Sequence, residues 1–415
     1  MASTAPQLLG LQKSFGYGDR LGLATPGHIA ASQKYDFAPV FAQQSAREMK
    51  RTGRTPFDVM KAAADALETE GYDGAWGADA DHLTADEDIA SWAAAGFTFF
   101  TLDPSQFVND QADDLAEGKV IGEAENLYVE GVFKTLDWDD RYLGEKYVAG
   151  QTMYRFNRES LYRAAIKYGR ALAHCEKLAG FISSCLGHGA FEIEVSFDET
   201  ASPTTPLEHL FVALELKQRG ISVVSLAPHF VGELENGIDF RGDLAEFESS
   251  LEQHVAIARR FGPYKLSVHT GSDKFTIYPL LGRLCGNLLH VKTAGTSYLE
   301  ALRILHRADF KSFRGLLEFC CERFPEDRRS YRISTTEDEV RSLATNAASD
   351  EDLLNRRPAR QLLHVTYGSV LSEGKDSRGR PFRDTLMEVL EEHGKEYRQS
   401  LEAHFDRHLS ALCKG

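Results

Sequence analysis

The stretch 264-YKLSVHTGSDKFTIYPLLGRLCGNLLHVKTAGTSYLEALRI-304 carries the pattern that decides the fold. Two short apolar runs, Lys265 to Val268 and Leu288 to Val291, each end in a polar cluster, His269 to Lys274 and Lys292 to Thr296. The second cluster leads straight into a helical repeat from Tyr298 to His306. Short continuous apolar runs suit parallel strands buried on both faces, and the carboxyl ends of such strands are where α/β proteins place their chemistry.

Outward from this stretch the same unit recurs. Apolar runs at 39–42, 74–78, 97–102, 191–197, 221–226 and 362–365 each end in polar residues, and helical patterns separate most of them. Thr55 and Pro56 predict the start of a helix over 57–70, the acids at 86–88 open one that reaches Ala95, and helical spacing runs over 158–178 and 206–219. Together with 265–268 and 288–291 the strands number eight, which predicts a single (β/α)8 TIM-like α/β barrel domain over 1–415. Residues 106–157, after the third predicted strand, read as a capping insertion. Residues 372–415 read as a C-terminal helical extension, with one amphipathic helix from Phe382 to Leu412. A doubly wound open sheet fits less well, because Gly16, Gly18 and Gly22 have no preceding strand to make a dinucleotide fingerprint.

Composition bounds the function. A formal net charge of −15 repels nucleic acid and anionic membrane, and no run approaches the ~20 apolar residues of a membrane span. The amino-terminal residues lack a secretory pattern, so a cytoplasmic protein is expected. Six cysteines, scattered except for the pair Cys320–Cys321, suggest neither a disulfide framework nor a zinc ribbon. The expected partner is a small ketose or keto sugar acid, and a homo-oligomer is compatible with the sequence.

In a barrel the polar ends converge on one mouth. His82, His229 and His269 on different strand ends could hold a divalent metal with a position left open for substrate, zinc by default, with nickel, cobalt, manganese or iron as alternatives. Singly, each histidine reads more readily as a hydrogen-bonded structural residue than as a ligand; jointly, at strand ends, they favour metal. Asp81 and Glu194 could exchange protons, with Glu192 and Glu199 competing for the second role. Lys274 and Lys292 could hold a substrate carboxylate or form a Schiff base. Gln44, Ser45, Ser272 and Asp273 complete the predicted substrate contacts, and Ser369 lies at the last predicted strand end.

The motifs GADADH (77–82), FTFFTLDPS (97–105), EVSFDET with the following PTTP (194–206), VHTGSDKF (268–275) and HVKTAGTSYLEALR (290–303) resemble those of the tagaturonate epimerase family. That resemblance implies a metal-dependent barrel that interconverts tagaturonate and fructuronate, some relatives acting on tagatose and fructose. It implies Asp81 as proton acceptor, a fourth-strand glutamate as donor, for which Glu194 is taken, and His82, His229 and His269 as metal ligands. Other ketose isomerases, aldolases and a non-catalytic sugar-acid-binding barrel remain the competing classes. The inverted carbon, C4 counted from the CH2OH end, lies one bond too far from the C2 ketone for its hydrogen to be acidified. Retro-aldol cleavage of C3–C4 or transient oxidation at C4 remain, and the missing dinucleotide fingerprint favours the first.

Overall fold

Eight parallel strands close on themselves in the computed structural model, which describes residues 5–270, 273–346 and 351–414. They are β1 (Ser14–Gly18), β2 (Ala38–Ser45), β3 (Gly77–Leu83), β4 (Phe99–Leu102), β5 (Glu192–Ser196), β6 (Ser225–Ala227), β7 (Lys265–His269) and β8 (Leu289–Thr293). Each pairs with the next, and β8 returns to β1 with Ser14 opposite His290 and Tyr17 opposite Thr293. The (β/α)8 expectation therefore holds, with one strand exchanged for another.

The exchanged strand is instructive. β1 reads SFGYG, and two glycines in five residues look like a loop in sequence. They are there because the strand's neighbours press against it. A Cβ on Gly16 would meet Gln43 Oε1 at 2.8 Å, and one on Gly18 would meet the Thr293 carbonyl at 2.6 Å. The eighth strand expected at 362–365 is instead the end of the helix Arg357–Val365, which starts with Pro358 in its first turn and is buried almost all round. A four-residue apolar run fits a buried helix as well as a strand. Ser369 accordingly sits in a short helix, Tyr367–Ser372.

The other helices follow their caps. Pro56–Glu70 starts with a capping box between Thr55 and Asp58, and Pro206–Gln218 with one between Thr205 and Glu208. Asp86–Ala94 carries three acids in its first turn. The predicted helix over 382–412 is two, Phe382–Glu392 and Gly394–Leu412.

Residues 106–157 pack along the barrel's flank, and none of them lines its mouth. Their helix Glu117–Val129 lies on Arg158–Leu186, and Tyr142 packs beside Phe211. Walls above the strand ends come from residues 228–236, from 329–332 and from His364 and Tyr367. Among the described residues no helix is long and apolar enough to cross a membrane.

Candidate active site

Side chains alternate along a strand, so the inward residues of neighbouring strands stack in layers. The lowest layer closes the amino-terminal end: Lys265 Nζ donates to Ser14 Oγ at 3.0 Å, and Ser14 Oγ lies 2.8 Å from His290 Nδ1. Glu192 belongs here too, accepting a hydrogen bond from the Gly10 amide. This candidate for the proton donor is therefore remote from the mouth.

The middle layer is an ion cluster around Lys292. Its Nζ is 2.6 Å from Asp79 Oδ2, 2.9 Å from Asp81 Oδ1 and 2.9 Å from Glu194 Oε1, and it also donates to Thr101 Oγ1. Burial would lower the ammonium's pKa, but the three carboxylates outweigh it and hold it well above the ordinary lysine range. Burial, helped by the charges of Asp81 and Glu194, pushes Asp79 up to about 7 against the pull of Lys292. Lys292 is committed to these anions rather than offered to a ligand.

The upper layer opens to the cavity. β3 breaks its register between Ala80 and Leu83, and His82 adopts a left-handed φ of 52°. This irregularity turns two consecutive side chains, Asp81 and His82, into the mouth, which regular pleating forbids. His82 Nδ1 lies 2.8 Å from Asp81 Oδ1, and its Nε2 lies 3.5 Å from Asp198 Oδ1. His269, at the end of β7, places Nε2 2.8 Å from Glu194 Oε1 and Nδ1 3.3 Å from Asp198 Oδ2. Burial favours neutral forms throughout this layer, but mutual pairing wins. Asp81, Glu194 and Asp198 are held well below the carboxylate range, His82 well above the imidazole range, and His269 is raised to about 9.

His82, Asp198 and His269 each bring a ligand atom within 4.8 Å of the others. Each ring gives one nitrogen to a carboxylate, Asp81 or Glu194, and turns the other toward Asp198, as histidines in metal centres do. His269 Nδ1 is buried and faces Asp198 Oδ2 at 3.3 Å without making a hydrogen bond of good geometry. Two imidazoles, one of them with a buried nitrogen that makes no hydrogen bond, and a carboxylate fit a divalent metal. Of the three expected ligands, His82 and His269 meet, whereas His229 lines the same cavity outside the cluster, its Nδ1 2.9 Å from the Thr200 carbonyl. Asp198, two residues beyond the inward-facing Ser196, is the candidate ligand the sequence reading missed; the Ser196 hydroxyl donates to its carboxylate.

The cavity measures about 460 Å³. Asp81 lines it, while Glu194 is fully buried beneath it; Glu199 stands at the rim, ion-paired to Arg47 at 2.9 Å. Ser45 lines it and also caps the helix Ala46–Thr52. Gln44 is directed to Glu48 at 3.1 Å, and its neighbour Gln43, which sequence reasoning passed over, reaches Asp81 at 3.3 Å. Lys274 is turned away from the cavity, its Nζ clasped by the carbonyls of Glu235, Ile238 and Thr270. Asp273 is likewise engaged by Arg360 and the C-terminal helix. Ser272 lies outside the described residues.

A family model described as tagaturonate epimerase matches residues 1–412. The chain is 40% identical over 410 residues to the tagaturonate/fructuronate epimerase of Thermotoga maritima, covering 98% of this chain and 82% of that protein. The native crystal structure of fructuronate-tagaturonate epimerase from Cohnella laeviribosi superposes with a TM-score of 0.91 at 38% identity, over 99% of this chain and 83% of that one. A glycerol complex of the same protein superposes at 0.92, with the same identity and coverage.

Proposed function

Because the chain belongs to the tagaturonate epimerase family and is an isomerase of sugar acids, we propose that it interconverts tagaturonate and fructuronate in the mouth cavity, inverting C4 by retro-aldol and aldol steps. One observation carries the choice of base. Asp81 is the ionised carboxylate of the central cluster that faces the cavity, oriented by His82 at 2.8 Å and by Lys292 at 2.9 Å.

Asp81 takes the proton of the C4 hydroxyl. The C3–C4 bond breaks, its electron pair passes to the C2–C3 enolate, and C4 becomes an aldehyde. Rotation about C4–C5 presents the aldehyde's other face to C3, the bond reforms, and Asp81 returns the proton to the C4 oxygen. Glu194, expected from sequence as the donor, lies beneath the cavity with Oε1 engaged by His269 and Lys292. In this proposal it orients His269 and leaves the proton return to Asp81. His82, Asp198 and His269, with His229 beside them, would hold a divalent metal, zinc in the first place. When bound, such an ion would supply Lewis acidity to the carbonyl chemistry. Tagatose and fructose are proposed as poorer neutral substrates of the same site.

The test is turnover of both uronates, with tagatose and fructose in parallel, by chelator-stripped protein before and after adding single divalent metals. Metal-restored inversion at C4, with three-carbon fragments trapped by borohydride, supports the reading. Deuterium at C4 should stay in place and give no primary isotope effect, since no C4–H bond breaks. A primary effect, or tightly bound nicotinamide, would sink the retro-aldol route.

A further inference from the structure

A uronate brings a carboxylate into the cavity, and the two lysines named from sequence are both occupied: Lys292 by three carboxylates and Lys274 by backbone carbonyls. The remaining cations that line the cavity are arginines. Arg47 is paired with Glu199 at 2.9 Å, Arg332 donates to the Thr200 carbonyl at 2.9 Å, and Arg329 is exposed. Arg20 differs from all of them.

Arg20 follows β1 and is only 4% exposed. Its Nε donates to Glu48 Oε1 at 2.7 Å, and Gln44 holds the other Glu48 oxygen at 3.1 Å. The guanidinium lies 3.5 Å from the centre of the Tyr367 ring, which fixes its plane. Nη1 is nevertheless buried with no hydrogen-bond partner among the described residues, and so is the Tyr367 hydroxyl beside it. Both residues line the cavity that also holds Asp81 and His82. A buried charged donor left unpaired works against folding, and its persistence here points to a ligand that completes it.

We propose that Arg20 is the residue that receives the substrate's carboxylate, through Nη1 with the Tyr367 hydroxyl as a second donor, and that it sets the preference for a sugar acid over a neutral ketose. The planar fork matches a carboxylate, and its orientation by Glu48 and Tyr367 is already in place before the ligand arrives. The inference rests on the epimerase reading and adds a mechanical role to it. With the acid end anchored at Arg20, the aldehyde half is retained while it turns about C4–C5.

The experiment compares metal-loaded wild type with Arg20→Gln and Arg20→Lys. Calorimetric binding of galactonate, an inert polyhydroxy acid, is set against that of galactitol, its neutral counterpart, alongside kinetics on tagaturonate. Arg20→Gln should weaken galactonate binding and raise KM by about 30-fold or more, with kcat changed far less and galactitol binding unchanged. Arg20→Lys, which keeps the charge beside Glu48, should fall between and serves where the glutamine variant does not fold. Galactonate binding that is unaltered in a folded variant, or an equal loss for galactitol, would overturn the role of Arg20. Wild type that binds galactonate through Arg20 yet turns over neither uronate would instead overturn the epimerase reading.

Discussion

Two clusters in this protein are assembled from the same parts. His82, Asp198 and His269 meet at the barrel mouth, and Asp273, His404 and His408 meet beneath the helix Gly394–Leu412. In the second, one aspartate oxygen serves His404 at 3.1 Å, His408 at 3.2 Å and Thr296 Oγ1 at 3.0 Å, while the other takes Arg360 at 3.0 Å. The outer nitrogens are engaged as well, by Glu300 at 3.5 Å and the Tyr278 hydroxyl at 2.9 Å. At the mouth, by contrast, the Asp198 side chain is 25% exposed, and it and the two histidine nitrogens that face it, at 3.3 and 3.5 Å, border the cavity. Identical donor chemistry thus makes a staple where every capacity is filled and a site where some is left open toward a cavity.

The sharpest way to break this distinction is to remove each aspartate's charge in turn. Asp198→Asn should lower kcat/KM for tagaturonate by about 10³-fold, with a melting temperature close to wild type. Equal activity in the variant would reduce the mouth cluster to a surface network. Asp273→Asn should behave in the opposite way, costing about 3 kcal/mol in chemical denaturation by releasing Arg360 and the C-terminal helix while the folded fraction keeps its kcat. A loss of kcat without a loss of stability would show that the sealed cluster takes part in chemistry.

A third histidine pair refines the comparison because it has no carboxylate. His209 and His254 face each other through Nδ1 at 2.8 Å, with Tyr264 on the far side of His209. Burial lowers both, His254 to about 4. With a folded value below the unfolded ~6.5, the stability His254 contributes is complete above pH 6.5 and is lost as pH falls toward 4, by up to about 3 kcal/mol. His254→Phe should flatten that part of the stability curve. A curve unchanged by the substitution would show that the pair is charged or solvated in the native state.

The legible portion of the fold was the part written in period and punctuation. Seven strands, their order and the capped helices rest on local signals that tertiary contacts did not override. β1 escaped because its glycines answer to Gln43 and Thr293, residues far away in sequence that only closure brings alongside. The false strand at 362–365 was short enough for helix and strand periodicity to coincide. In the site, strand-end position correctly brought Asp81, His82 and His269 together. It failed for Lys274, whose amine curls back into a cage of carbonyls, because strand position does not fix where a long side chain ends. Asp198 had a signal in the sequence: it lies two residues past Ser196, hence on the same face, at the start of the loop that follows the strand.

The seam between β1 and β8 has a consequence for how the protein is made. In chain order the circle of strands is complete at Thr293, yet Tyr331, Arg332, His364 and Tyr367, which wall the cavity, all come later. Emerging from the ribosome, the chain exposes every strand and the whole mouth cluster before any of that wall exists. Arg20, among the first residues of the barrel, waits for Tyr367, near the end of the chain, before its guanidinium has a surface to lie on. Assembly of the mouth cluster and completion of the wall around it are therefore separate events in biosynthesis.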